Sequence, residues 1–194
     1  MTRISLLETA HNLILNQLLS GGFAIDATIG NGHDTVFLAQ CVGESGHVFG
    51  FDIQLQALSN TLLRLQTQEL ETRATLFHAS HDTMLNHLPH NMMGQVGAIM
   101  FNLGYLPGAG KSVITQTATT LAGLDTACFL LAEQGIMTVL AYPGHEGGDQ
   151  ETRELTDWCK RLNQQQFQCE VIFSEHHQIK APQLFVIRKS TLLL

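Results

Sequence analysis

The stretch Phe23-Ala24-Ile25-Asp26-Ala27-Thr28-Ile29-Gly30-Asn31-Gly32-His33-Asp34-Thr35-Val36-Phe37-Leu38 restricts the fold more than any other part of the chain. A short apolar run ends in a carboxylate, breaks at two glycines one residue apart, and resumes with apolar residues at roughly helical spacing. This reads as a strand, a tight turn and a helix. Gly30 and Gly32 carry no Cβ, so the backbone there can take positive φ and lie against a ligand, while the helix that follows offers free N–H groups and a positive dipole end.

Asp26 narrows the ligand. A carboxylate at the strand end would repel a dinucleotide pyrophosphate, whereas the ammonium of an amino-acid-bearing cofactor is attracted to it. The third glycine of the dinucleotide pattern G-x-G-x-x-G is replaced by Thr35. The turn therefore favours S-adenosylmethionine over NAD, and a glycine turn that binds nothing remains the plain structural alternative.

The same grammar repeats along the chain. Ser5 to Leu19 carries Leu6, Leu7, Ala10, Leu13, Ile14 and Leu18 at three- and four-residue spacing, with Gly21-Gly22 as a stop, and predicts an amphipathic helix over one sheet face. After the glycine turn and a helix to about Val42, His47 to Ile53 is the second strand. It too carries a carboxylate at its end: Asp52 follows Gly30 at the ~20-residue offset where an acid meets the ribose hydroxyls of an adenosine cofactor. Leu55 to Leu65 predicts a helix and Ala74 to His78 a short strand. Ser80 and His81 follow that strand, where they either contact an adenine ring or cap a helix.

Gln95 to Phe101 is the fourth strand, ending at Asn102-Leu103-Gly104-Tyr105-Leu106-Pro107-Gly108. Val113, Thr117, Leu121, Leu124, Cys128 and Leu131 mark one face of a long helix, and Gly135 to Tyr142 is a fifth strand closed by Pro143-Gly144-His145-Glu146-Gly147-Gly148. The next helix buries Leu155, Trp158, Cys159 and Leu162. Phe167 to Phe173 then alternates with Phe167, Cys169, Val171 and Phe173 inward, and Leu184 to Ile187 is the last strand. Alternating strands and helices that close with two successive strands imply an α/β architecture: a doubly wound, mostly parallel sheet with helices on both faces and a terminal antiparallel strand. Ligands of such sheets sit at the carboxyl edge near the switch point, where Asp26, Asp52, Asn102 and Tyr142 to His145 converge.

Composition bounds the rest. The 194 residues, 44% hydrophobic and 14% charged, suit one compact domain spanning 1–194. No apolar run approaches the ~20 residues of a membrane span and the start of the chain lacks secretory character, so a cytoplasmic location is expected. The formal charge of −7 argues against a broad electrostatic grip on nucleic acid, although Lys111, Arg153, Lys160, Arg161, Lys180, Arg188 and Lys189 could form a local patch. Cys41, Cys128, Cys159 and Cys169 read as free core thiols, and no histidine or cysteine spacing supports a metal.

At the fourth strand's end, Asn102 and Tyr105 have the N-x-x-Y spacing of the Asn-Pro-Pro-Tyr loop in methyltransferases that act on amino groups. An amine nucleophile must aim its lone pair at the methyl group, so its N–H bonds need acceptors such as the Asn102 side-chain oxygen, while Tyr105 stacks on substrate. A turn with Asn102 as a cap and Tyr105 as filler is the bland reading of the same letters. His145 and Tyr142 are candidate acceptors for the proton that an alkylammonium must lose.

With these residues assembled, the chain resembles the tRNA 5-aminomethyl-2-thiouridine methyltransferase family, long catalogued as rRNA methylases. The matching stretches are Ile25 to Thr28 with Gly30 to Thr35, Gly50 to Gln54, Phe101 to Gly108, and Gly144 to Gly148. The resemblance implies a Rossmann-like class I methyltransferase fold with a seven-stranded sheet and S-adenosylmethionine as donor. It implies methylation of the aminomethyl nitrogen of a tRNA wobble uridine, with an anticodon stem-loop as partner. By the same resemblance Asp26, Thr28, Gly30, Asn31, Gly32, His33, Asp34, Asp52, Gln54, Ser80, His81, Asn102 and Gly104 hold the cofactor, and Asn102, Tyr105 and His145 serve the reaction. Methyl transfer to rRNA or another amine, and NAD-dependent oxidoreduction, are the competing activities. The chain departs from the family pattern at Ala109-Gly110-Lys111 and at His176 to Pro182. A homodimer that combines two modest basic patches fits the same picture.

Overall fold

A computed structural model describes residues 4–104, 115–144, 147–174 and 181–191. The first helix, α1 (Leu6–Leu15), starts where Ser5 and Glu8 cap each other reciprocally: the Glu8 N–H donates to Ser5 Oγ and the Ser5 N–H donates to the Glu8 carboxylate. Such a box satisfies two helix-end donors and fixes the start of the helix. Strand β1 (Phe23–Asp26), α2 (His33–Val42), β2 (His47–Asp52), α3 (Leu55–Thr67) and β3 (Ala74–His78) follow. A one-sided run of 3-10 turns over 81–92 leads to β4 (Val96–Asn102), then α4 (Thr117–Leu130), β5 (Leu131–Ala141), α5 (Gly148–Arg161), β6 (Phe167–Phe173) and β7 (Gln183–Lys189).

The strands form one seven-stranded sheet in the order β3-β2-β1-β4-β5-β7-β6. β1 to β5 are mutually parallel, and β7 enters antiparallel between β5 and β6. The sequence expectation of a mostly parallel sheet with a terminal antiparallel strand holds. Chain order reverses between β1 and β4, which places the switch point at their carboxyl ends.

Alternation along each strand divides the core. Ala24, Ala98, Met100, Ile136, Leu184 and Val186 pack under α1, α2 and α3. Their neighbours Ile25, Ile99, Phe101, Met137, Phe185 and Ile187 pack under α4, α5 and the 3-10 segment. A sheet covered on both faces reads as continuous apolar runs, which is why β1, β4 and β7 were visible in the letters.

Four expectations change. The buried face of α4 is Thr120, Gly123, Leu124, Ala127 and Leu130, rotated from the predicted stripe; Leu121 and Cys128 are only half-buried, Leu131 already belongs to β5, and Val113 lies outside the described residues. Two neighbours explain the rotation: a buried carboxylate, Glu151, takes a hydrogen bond from Thr120 Oγ1 at 2.7 Å, and the His81 ring presses on Gly123. The alternation of β6 is weakly honoured, because an edge strand is covered on one side only: Phe167 is buried, while Phe173 is 59% exposed and Cys169 is exposed. The four cysteines are free, but Cys41, Cys128 and Cys159 are half-buried and Cys169 lies at the surface. Lys189 is withdrawn from any basic patch, since its ammonium donates to the Leu131 and Cys128 carbonyls at the end of α4. Among the described residues no helix is long and apolar enough to cross a membrane.

A Cβ at Gly123 would stand 2.6 Å from His81 Cδ2. Gly123→Ala should therefore lower the melting temperature by roughly 2–8 °C despite its better helix propensity, because overpacking of about 1–3 kcal/mol exceeds the ~1 kcal/mol propensity gain. Removing the ring in His81→Ala/Gly123→Ala should relieve that loss, and thermal unfolding of the two variants checks it.

Candidate functional site

The carboxyl ends of β1, β2 and β4 meet around the glycine turn. Asp26 ends β1 fully buried; its carboxylate accepts from Thr35 Oγ1 at 2.5 Å and from the Thr28 N–H at 3.2 Å. The Thr28 hydroxyl in turn accepts the Asn102 backbone N–H at 2.7 Å. One short chain of bonds thus ties the turn after β1 to the last residue of β4, across 74 positions of sequence.

Asp52 anchors the other side. Its two oxygens accept the N–H groups of Gly30 and Gln54, each at 2.9 Å, so the β2 carboxylate holds both the glycine turn and the start of α3. A carboxylate offers about four lone-pair directions, and two remain for ligand hydroxyls. Asn31 is gripped by α3, whose Arg64 donates to its carbonyl at 3.0 Å and whose Asn60 donates to its side-chain oxygen at 3.3 Å. Gly32 has φ +79° as the N-cap of α2, and a Cβ there would stand 2.4 Å from Thr61 Oγ1. Both conformation and space demand glycine, so this turn is built for close approach.

His33 is the exposed first residue of α2, and Asp34, beside it in the first turn, is buried. Asp34 bonds His11 of α1 at 2.7 Å through one oxygen and the Asn102 side-chain nitrogen at 3.4 Å through the other. On the far side, Ser80 precedes the 3-10 segment and its carbonyl accepts from Thr83; the Ser80 side chain caps nothing there. His81 is buried edge-on against Phe101. Its Nε2 and the Asp82 Oδ1 are both buried without a protein partner, a donor–acceptor position and an acceptor that a bound base could satisfy.

Gly104 closes the site. Its N–H donates to Thr115 Oγ1 at 3.0 Å, the Thr115 N–H returns a bond to the Gly104 carbonyl at 2.9 Å, and the Thr115 hydroxyl donates to Glu151 at 3.0 Å. Gly104 is thereby tied through Thr115 to buried Glu151 of α5. Tyr105, Lys111, His145 and His176 to Lys180 lie outside the described residues. The structure therefore brings Asp26, Thr28, Gly30, Asn31, Gly32, Asp34, Asp52, Gln54 and Asn102 to one edge, with Ser80 and His81 along its β2–β3 flank.

Sequence reasoning missed His11, Thr115 and Glu151. His11 shares the inward spacing of Leu7, Ala10 and Ile14, so a polar residue on the apolar face of α1 was a usable signal. Nothing in the spacing of Thr115 and Glu151 announces that they meet.

Electrostatics sharpen the site. Burial first, and then the neighbouring Asp34 charge, push Asp26 from 3.8 up to about 7. Burial and the Asp34 charge also raise the Tyr142 phenol above its usual value, so Tyr142 stays protonated at physiological pH. Burial lowers His81, which keeps its ring neutral at physiological pH. Three carboxylates crowd one turn, and an incoming cation would relieve their repulsion.

Because the folded-state value of Asp26 lies above the unfolded one, the stability linked to its proton is complete below pH 3.8 and is lost as pH rises through about 7. Asp26→Asn cannot titrate. Its melting temperature relative to the native protein should climb by roughly 3–8 °C between about pH 5 and about pH 8. A difference that stays flat with pH in calorimetric scans would refute the burial of a titrating carboxyl here.

Known proteins place this arrangement. A crystal structure described as a putative rRNA-methylase from Clostridium thermocellum superposes with a TM-score of 0.90 at 36% identity, covering 97% of this chain and 98% of that one. A putative methyltransferase from Streptococcus mutans, solved in complex with SAH, gives 0.84 at 34% identity over 97% of this chain and 99% of its own. The tRNA (mnm(5)s(2)U34)-methyltransferase, chloroplastic, of Arabidopsis thaliana is 37% identical over 153 residues, 74% of this chain; the match spans 55% of that protein's length. The fold is that of the class I methyltransferases. The family described as "Putative rRNA methylase" matches residues 48–188, and the chain belongs to it.

Proposed function

We propose that this protein is an S-adenosylmethionine-dependent N-methyltransferase whose acceptor is the aminomethyl group of 5-aminomethyl(-2-thio)uridine at the tRNA wobble position. The observation that carries the reading is Asn102 at the β1/β4 switch point, its backbone held by Thr28 and its side chain beside Asp34. The name of the Arabidopsis relative supports the acceptor, and the SAH complex of the Streptococcus mutans relative supports the donor.

The residues fit such a donor. Gly30 to Gly32 and the α2 N-terminus suit the methionine carboxylate, with Asn31, His33 and Asp34 lining that end. The charge on Asp26 and Asp34 favours the ammonium and the sulfonium. Asp52 takes the ribose hydroxyls, with Gln54 beside it. Ser80 and His81, at the start of the segment after β3, are assigned to the adenine side. Gly104, two residues beyond Asn102, completes the set. When bound, the donor supplies an electrophilic methyl group on a positively charged sulfur.

The chain's own residues then orient the acceptor. Asn102 Oδ1 accepts one N–H of the amine, which turns the lone pair toward the methyl group. The acceptor nitrogen would take the methyl group as the C–S bonding pair returns to sulfur, and would give up one proton. Positioning supplies most of the rate, because methyl transfer needs little acid–base assistance. Tyr105 and His145 are assigned to the substrate side by their place in sequence, Tyr105 to stacking and His145 to proton transfer. The anticodon stem-loop is read through an unstacked base, which needs fewer phosphate contacts than a duplex and suits a chain of net charge −7. A homodimer sharing two basic patches completes the proposal.

The protein should be incubated with labelled S-adenosylmethionine and either undermethylated tRNA or rRNA, and the nucleosides read by mass spectrometry. Label in 5-methylaminomethyl-2-thiouridine supports the reading, whereas label confined to rRNA overturns the tRNA assignment. Asp52→Ala should weaken cofactor binding by roughly 10- to 150-fold, as loss of a charged acceptor worth about 1.5–3 kcal/mol predicts. Asn102→Ala should lower kcat with cofactor affinity nearly intact. Titration calorimetry and steady-state kinetics separate the two, and an equal loss in both variants would mark the Asn102 segment as structural.

A further inference from the structure

The geometry points to His11 and Asp34 as positioning residues that set the orientation of the Asn102 side-chain amide, so that its oxygen faces the methyl acceptor. This rests on the assignment of Asn102 to the acceptor amine.

The inference starts from valence. An ionised carboxylate accepts hydrogen bonds and donates none, so the end of the Asn102 amide that faces Asp34 Oδ2, at 3.4 Å, is the NH2 group. The amide oxygen is turned the opposite way. Without a fixed acceptor at that point, the amide could rotate and present its N–H groups to the amine. Two donors would then face each other and the lone pair would lose its guide.

Asp34 is itself held. Its second oxygen takes a hydrogen bond from His11 Nε2 at 2.7 Å, and the His11 ring lies flat on Phe37, with centroids 3.9 Å apart and an interplanar angle of 8°. Phe37 is one turn along α2 from Asp34, so ring stacking and the hydrogen bond together fix the imidazole on the α2 surface. Asp34 is buried and the His11 side chain is 24% exposed, which shields the pair from competing water. The Asn102 backbone is fixed separately by Thr28. The side-chain torsion is the remaining freedom, and Asp34 removes it. α1, outside the parallel core of the fold, thereby reaches into the reaction.

Two substitutions separate the hydrogen bond from packing. His11→Phe keeps a flat ring on Phe37 and removes the donor. His11→Gln carries an N–H to nearly the position of Nε2 and loses the ring. With tRNA as acceptor, His11→Phe should lower kcat by about tenfold while the KM for tRNA and the Kd for S-adenosylmethionine stay within about twofold, and His11→Gln should recover at least about half of kcat. His11→Phe/Asn102→Ala should be no slower than Asn102→Ala alone. Native kcat in His11→Phe, or equal losses in the Phe and Gln variants, would overturn the inference.

A second readout needs no RNA. In the S-adenosylhomocysteine-bound protein, the assigned side-chain amide signals of Asn102 should be sharp in the native and Gln forms, and exchange-broadened or shifted in the Phe form. Unchanged Asn102 signals in His11→Phe would overturn the role of His11 even if the native protein proved inert on tRNA, an outcome that would sink only the substrate assignment.

Discussion

The site depends on one hydrogen bond between strands distant in sequence and adjacent in space: the Asn102 N–H to Thr28 Oγ1, 2.7 Å. β1 and β4 run side by side in parallel, with Asp26 opposite Met100 and the Ala27 N–H on the Met100 carbonyl. The two strand ends therefore emerge together, one turning into the glycine loop and the other into the Asn102 segment. Thr28 joins them at the point where they diverge. In the proposed function, donor and acceptor subsites would inherit their separation from the ~4.8 Å spacing of neighbouring strands.

The second constraint is charge held out of water. Burial and the neighbouring Asp34 charge both favour the protonated form of Asp26, and hydrogen bonds from Thr35 and Thr28 only partly offset the cost. Such an arrangement is a poor way to stabilise a fold and a good way to receive a cation. On charge alone it favours a cofactor with a positive sulfur and ammonium over one with a pyrophosphate. The carboxylates also have structural duties: Asp26 secures the first turn of α2, half-buried Asp52 secures Gly30, and buried Glu151 secures Thr115 and Thr120.

What was legible in the sequence was what periodicity and strand order encode. β1, β2, β4 and β7 announced themselves as apolar runs because both faces of the sheet are covered, and the carboxyl-end positions of Asp26, Asp52 and Asn102 followed from where those runs stop. The face of α4 was misread because its inner surface is set by Gly123 and Thr120, residues chosen to fit His81 and Glu151 and carrying no hydrophobic signal. Cys169 and Phe173 on β6 were misread because an edge strand mimics the alternation of a central one. His11 escaped notice because its partner, Asp34, is 23 residues away and on another helix, and periodicity speaks only of local spacing.

The proposed reaction turns on receipt of the acceptor amine by the Asn102 oxygen at the β1/β4 junction. Its most direct test is a crystal structure of the protein with S-adenosylhomocysteine and an anticodon stem-loop carrying 5-aminomethyluridine. The amine nitrogen is expected within ~3 Å of Asn102 Oδ1 and in line with the cofactor sulfur. An amine seated at another strand end, or turned to the Asn102 nitrogen, would contradict it.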